Sequence, residues 1–402
     1  MFDNREAIAV YRGWEALEKS LPKETRVEVI DFGLVPEIAD VESFNSREEV
    51  LSRVLQLRSS VAVVDEITEF IWAKLNASAF YLQILLSGVL PEFYEHVRNM
   101  LGITPELISE ETIVQQKKKV IELLSSFGVR MSNGELDKVS FAAFDDSIRV
   151  YKEEAEKEAR ENEARLLPAV RNLLGFSDLQ IPHNKIRLRR VNRFWLGWSS
   201  GKKGDFLLQY NFHPRHRWRK GDMEYLTIHE VYGHFVHAAS LAREIERRDE
   251  GRLDPFIGIT TVHDPQGFMG EGIADALTYF FPEEIPLSRY GVLSREQRVW
   301  RDYLNNNGHI LINMGWDKQE LMKYLLANPF TSTQTAERNL QTWQTHPLFR
   351  AYQYAYGIAL KYHQRFAAKM NREQKVRYLH YAFTRYVTPR RLIEYAERLM
   401  EG

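Results

Sequence analysis

The stretch Leu226-Thr227-Ile228-His229-Glu230-Val231-Tyr232-Gly233-His234-Phe235-Val236-His237 decides how the chain is read. It sets an apolar helical pattern around histidines and a glutamate, and six of the chain's twelve histidines fall between His213 and His263. Two histidines four apart on a helix put both imidazoles on one face for a metal ion, and a glutamate after the first can take a proton from water. Here the gap from His229 to His234 is five. On a regular helix, residues five apart diverge by about 140°, too far to share an ion. The stretch therefore predicts either no site or a π-bulge, which adds one residue to a turn and occurs mostly at functional sites. Gly233 is the expected seat of the irregularity, because it tolerates unusual backbone angles.

A second motif follows in Gly270-Glu271-Gly272-Ile273-Ala274-Asp275, at the start of a predicted helix that runs on through Phe280. Two histidines and one carboxylate leave a fourth tetrahedral position open, and an outer carboxylate can fix the tautomer of a ligand histidine. HEVYGH with GEGIAD resembles the HExxxH branch of the helical gluzincins, which includes the tyrosine carboxypeptidases and the bacterial proteins named for a QEGLA motif; Gly270 stands where that motif has Gln. The segment from Pro347 to Gly357, PLFRAYQYAYG, is similar to the Tyr-x-x-Gly turn of zinc peptidases of the carboxypeptidase Taq and thimet oligopeptidase type. The resemblance spans chiefly residues 205–365.

The resemblance implies a large helical zincin-like catalytic fold and a zinc-dependent peptidase, first of all a carboxypeptidase. It makes His229, His234 and Glu271 the Zn2+ ligands and Asp275 the partner of a ligand histidine. Glu230 becomes the general base that later returns its proton to the leaving amine. A developing oxyanion needs a donor, for which Tyr354 and Tyr356, with His346, are the candidates. His237 is an alternative ligand to Glu271, and His213, His216, His263 and His309 are further cleft candidates.

The rest of the chain fits a mainly α protein. Of 402 residues 44% are hydrophobic and 27% charged, which permits a sizeable core. With 54 basic against 55 acidic residues, the net charge of −1 gives no overall attraction to nucleic acid or an anionic membrane. Cysteine is absent, which excludes disulfides, thiolate catalysis and cysteine-ligated zinc. The charged start, Met1 to Glu6, has no apolar leader, so a cytoplasmic location is expected. The uncharged run from Leu75 to Pro91 is too polar and short to span a membrane, and reads as a buried helix.

Apolar residues at helical spacing (Val50, Val54 and Leu57; Ile67, Ile71 and Leu75) predict packed helices between Ser46 and Gly102. Glu110 to Phe127 and the charged run Tyr151 to Arg165 extend them, the latter as a solvated helix. After Met223 the pattern is helical to the end. Lys185 to Trp198 and Asp205 to Phe212 are expected to form an antiparallel β-ribbon around the loop Ser199 to Gly204, just before the histidine helix. An exposed edge strand there would accept an extended peptide.

Residues 1–180 thus read as an N-terminal helical region and 181–402 as the zinc catalytic region, and the two are expected to form one continuous fold. From His183 to Lys220 eleven Lys or Arg face the single acid Asp205, which suits an acidic peptide or a C-terminal carboxylate as partner. Interleaved aromatics keep single-stranded nucleic acid open there, though the neutral whole-chain charge disfavours it. Two other readings share the motifs: a metal-dependent hydrolase of a non-peptide amide, and a metal-free helical interaction protein that has kept them as a relic.

Overall fold

The computed structural model describes residues 2–35, 41–132, 135–175, 179, 184–191, 195–202, 205–214, 216–247 and 254–402. The fold is mainly α. Among the described residues, no helix is long and apolar enough to cross a membrane. Three helical runs carry the motifs. The motif helix is continuous from Asp222 to Glu246, the acid helix spans Gln266–Phe280, and the tyrosine helix spans Phe349–Lys369.

Each run has a local cause. Gly221, at φ 85°, turns the chain into the motif helix, where nearly every side chain from Asp222 to Phe235 is buried. Asp264 accepts the backbone N–H of Gln266 through Oδ1 and so starts the acid helix, while its Oδ2 is 2.7 Å from Nζ of Lys74 in a buried ion pair. Pro347 precedes the tyrosine helix, and the His346 ring accepts the backbone N–H groups of Leu348 and Phe349 at 3.2 Å each. Such capping satisfies donors that have no partner within the helix.

The sheet is larger than a ribbon. It has five strands: β1 (Ile30–Gly33), β2 (Asn184–Arg189), β3 (Gly197–Lys202), β4 (Asp205–Asn211) and β5 (Ile259–Thr261), in the order β2-β4-β3-β1-β5. The expected hairpin is shifted. Ser199–Lys202, read as loop from its Ser-Ser-Gly content, belongs to strand β3, which pairs antiparallel with β4, Gly197 opposite Tyr210 and Lys202 opposite Asp205. Asn184–Arg189 lies on the other side of β4 and runs parallel to it, Lys185 opposite Leu207. Strand preference depends strongly on context, and pairing on both sides outweighs the weak propensity of Ser and Gly.

This arrangement corrects a second expectation. Strand β4 is flanked by β2 and β3 and has no free edge, so it cannot add a peptide to the sheet. Strand β1 joins the N-terminal part to the centre, parallel to β3 and antiparallel to β5. Phe32, Phe206 and Phe235 fasten the sheet to the motif helix, with ring centroids 4.9–6.3 Å apart. Aromatic clusters of this kind contribute beyond the area they bury. The charged helix Lys152–Leu174 is only partly solvated: Ala155, Ala159, Leu166 and Val170 are buried, and Tyr232 donates to the carbonyl of Asn162 at 3.1 Å.

Candidate metal centre

Between Ile228 and Phe235 the motif helix is a π-helix. The added residue per turn answers the five-residue gap, because it brings His229 and His234 round to one face. Their Nε2 atoms stand 3.2 Å apart, with the rings nearly perpendicular at 82°. Gly233 matters for a different reason than the one expected. Its φ is not positive; instead, a Cβ there would fall 2.3 Å from the Ala274 Cβ and 2.6 Å from its Cα. Gly233 is therefore the point where the motif helix and the acid helix touch.

That contact brings Glu271 to the histidines. Its Oε2 is 3.3 Å from Nε2 of His229 and 3.6 Å from Nε2 of His234. A tetrahedral centre with bonds of about 2.0–2.2 Å sets its ligand atoms about 3.3–3.6 Å apart, so the three atoms have the spacing that a small divalent ion requires. Oε2 of Glu271 is buried and accepts no hydrogen bond. A buried oxygen left in this way is costly unless a cation meets it. Glu230 brings a second carboxylate within 4.8 Å of the two histidines.

The surrounding groups hold these side chains in place. Asp275 Oδ1 accepts Nδ1–H of His229 at 2.7 Å and the Tyr225 hydroxyl at 2.6 Å. With Nδ1 engaged as donor, the ring is oriented so that Nε2 is the nitrogen turned toward Glu271. Tyr352 donates to Oε1 of Glu271 at 2.6 Å and lies 3.2 Å from the hydroxyl of Tyr356. Burial works against charge on His229, but Asp275 and Glu271 outweigh it and hold the ring's pKa well above the usual histidine value. Burial also pushes Glu271 up, yet His234 and His229 hold its carboxyl well below the usual range. The centre thus already favours a positive charge among these groups.

Glu230 is 5% exposed and packs against Gly197, the first residue of β3. A Cβ on Gly197 would lie 2.5 Å from Oε1 of Glu230, so a side chain there would displace the carboxylate. On the other side of the histidines a small cavity of about 30 Å³ is lined by Asp31, His234, His237, Gln266, Glu271 and Tyr352, among others. His237 lines this cavity with His234 and Glu271, its ring against Phe383 and Tyr386.

Other candidates lie elsewhere. Tyr354 is turned away: its hydroxyl accepts the backbone N–H of Glu106 at 2.8 Å and donates to the Glu106 carbonyl at 3.2 Å. Residues two apart on a helix point about 200° apart, so with Tyr356 at the centre Tyr354 cannot also be there. Tyr352, four before Tyr356, shares its face and was missed, although that spacing was available in the sequence. His346 caps the tyrosine helix and stacks on Phe349 with centroids 4.2 Å apart. His263 is buried with Ser78 at 2.9 Å, and His309 is stacked on Trp343 in the core. His213 and His216 lie in the segment after β4, where the backbone N–H of His216 bonds the His213 carbonyl.

Much of the basic stretch is already paired. Lys185 meets Asp205, Arg189 donates to Gln209, and Arg217 and Arg219 share Asp145. Arg193, Phe194, Lys203 and Arg215 lie outside the described residues.

No family model matches the chain, and no curated protein is similar to it in sequence. Among solved structures it is similar to a "putative lipoprotein" of Colwellia psychrerythraea, with a TM-score of 0.56 at 13% identity over 89% of this chain and 68% of that one. A Shewanella oneidensis protein of unknown function, described in the same terms, gives a TM-score of 0.49 at 13% identity, covering 89% of this chain and 71% of that one. The likeness to the Colwellia protein is one of fold alone.

Proposed function

We propose that the chain is a zinc-dependent peptidase in which Glu230 serves as general base. One observation carries the reading: Nε2 of His229, Nε2 of His234 and Oε2 of Glu271 converge at separations of 3.2–3.6 Å, with that oxygen buried and accepting no hydrogen bond. Two imidazoles and a carboxylate are donors that suit zinc. When bound there, zinc would polarise a substrate carbonyl and make water acidic enough to lose a proton near neutral pH.

The chain's own groups do the rest. Asp275 holds the His229 ring in one tautomer and orientation. Tyr352 ties down Oε1 of Glu271 and so directs Oε2 to the histidines. Glu230, confined against Gly197, takes a proton from water and delivers it to the leaving amine. Tyr356, beside Tyr352, is the donor for a developing oxyanion. The likeness of HEVYGH and GEGIAD to the helical gluzincins supports a peptide over another amide. A carboxypeptidase needs a cation for the terminal carboxylate, and among the described residues no lysine or arginine lines the cavity beside the centre.

The test is elemental analysis of the dialysed wild type beside Glu271→Ala, followed by a peptide cleavage screen with Glu230→Gln as control. About one zinc per wild-type chain, lost in Glu271→Ala, together with cleavage abolished in Glu230→Gln, is the expected result. No zinc in the wild type, even after zinc is offered back, would return the chain to the reading of a helical interaction protein.

A further inference from the structure

Two residues that line the cavity beside the centre each carry a buried polar atom with no hydrogen-bond partner. Asp31, on β1, has its Oδ1 buried without a hydrogen-bond partner. His237 is 3% exposed; its ring bonds the backbone of Ala382, and its Nε2 is buried without a partner. With the ring's proton on the other nitrogen, Nε2 is an acceptor, as is the Asp31 oxygen. Among the described residues no lysine or arginine lines the cavity, and its volume is about 30 Å³. That is room for one group the size of a water molecule or an ammonium.

We propose that this cavity receives a primary ammonium group of the substrate, with Asp31 as its counter-ion and His237 Nε2 as a second acceptor. An ammonium offers three N–H donors and a full positive charge, whereas a carboxylate or carbonyl oxygen would leave the Asp31 oxygen and His237 Nε2 without a donor. Burial, and then the nearby Glu28, Glu271 and Glu230, push the Asp31 carboxyl well above the ordinary range. A cation bound there offsets that repulsion. His234 and Glu271 belong to the same wall, so the ammonium lies immediately beside the group held at the centre. This position suits the α-amino terminus of a peptide, and makes the enzyme one that trims from the N-terminal end. The proposal rests on the peptidase reading for the molecule that carries the ammonium; the chemistry of the cavity is independent of it.

The first test needs no metal and no turnover. Thermal unfolding of the zinc-free full chain is measured with L-leucinamide, N-acetyl-L-leucinamide and Nα-acetyl-L-lysinamide, for the wild type and Asp31→Asn. Leucinamide is expected to raise the wild-type Tm by about 2 °C or more at saturation, because a ligand that binds only the native state stabilises it. N-acetyl-leucinamide should give no shift, and Asp31→Asn should respond to none of the three. A shift with acetyl-lysinamide alone would assign the same cavity to a side-chain ammonium. Equal shifts with the free and acetylated leucinamides, or no shift with any amine, would overturn the proposal. These comparisons stand on the wild type even if Asp31→Asn fails to fold.

With zinc restored, blocking the amino terminus of a cleaved peptide should lower kcat/KM at least tenfold. Ammonium binding without cleavage of any peptide would remove the peptidase reading and leave the site. Cleavage that ignores both the amine and Asp31 would do the reverse.

Discussion

Gly233 and Ala274 meet so closely that a Cβ on Gly233 would lie 2.3 Å from the Ala274 Cβ and 2.6 Å from its Cα. The Cα and Cβ of Ala274 move only with the helix that carries them, so no flexible side chain can swing away. Gly233→Ala is therefore expected to push the acid helix off the motif helix and carry Glu271 away from His229 and His234. Overpacking of this kind costs about 1–3 kcal/mol. Zinc affinity and Tm should both fall, whereas a change at a merely permissive turn would leave zinc binding intact. Competition with a fluorescent chelator, alongside thermal unfolding, separates the two cases.

Asp275 supports two donors through a single oxygen, Nδ1–H of His229 and the Tyr225 hydroxyl. Asp275→Asn keeps a carbonyl oxygen for them but removes the charge. Changes at such outer partners weaken metal binding about 10–100-fold. The expected result is a folded protein with zinc affinity reduced in that range. An unchanged affinity would show that Asp275 serves packing alone.

The motifs made the centre legible because its spacing was wrong for a regular helix. A gap of five between His229 and His234 demands an extra residue in the turn, and Ile228–Phe235 is a π-helix. The role of Gly233 was not legible, since it depends on a partner 41 residues away that only tertiary packing supplies. The predicted helices follow apolar spacing, but helix Asn4–Ser20 passed unnoticed although Asp3 caps it. The sheet was misread for a physical reason: β1 and β5 are short strands of three or four residues from distant parts of the chain. Such strands have too few residues to show a period. Asp31 carries no local signal either; its meaning comes from His237 and the cavity between them.

Tyr352 and Tyr354 differ by two residues and by what their hydroxyls hold. Tyr352→Phe removes the donor to Oε1 of Glu271, so zinc affinity or kcat/KM is expected to fall about tenfold with little loss of fold. Tyr354→Phe leaves the backbone N–H of Glu106 without its acceptor, which costs about 1–3 kcal/mol of stability if that group stays buried. The centre itself should be unaltered in that variant. Paired measurements of Tm and kcat/KM on the two variants make the comparison. The opposite assignment of effects would put Tyr354 back at the centre.

His96 provides a pH prediction away from the proposed metal ligands. Burial, reinforced by the Arg350 guanidinium, pulls its pKa down to about 4 from the usual value of about 6.5. Between those values the unfolded chain binds a proton that the native ring refuses. Stability is therefore full above pH 6.5 and is lost as pH falls toward 4. At pH 5 the loss from this one ring is about 2 kcal/mol relative to pH 8. In the zinc-free chain His229 acts with the opposite sign, since its pKa is raised. The contrast that isolates the buried ring is thus the wild type against His96→Gln. Glutamine still offers an oxygen to Arg350, whose Nη1 lies 3.3 Å from Nδ1 of His96, but it cannot titrate. Urea unfolding at pH 8 and pH 5 should show His96→Gln losing about 2 kcal/mol less than the wild type over that interval. Identical losses would mean that the native His96 takes up its proton as readily as the unfolded chain does.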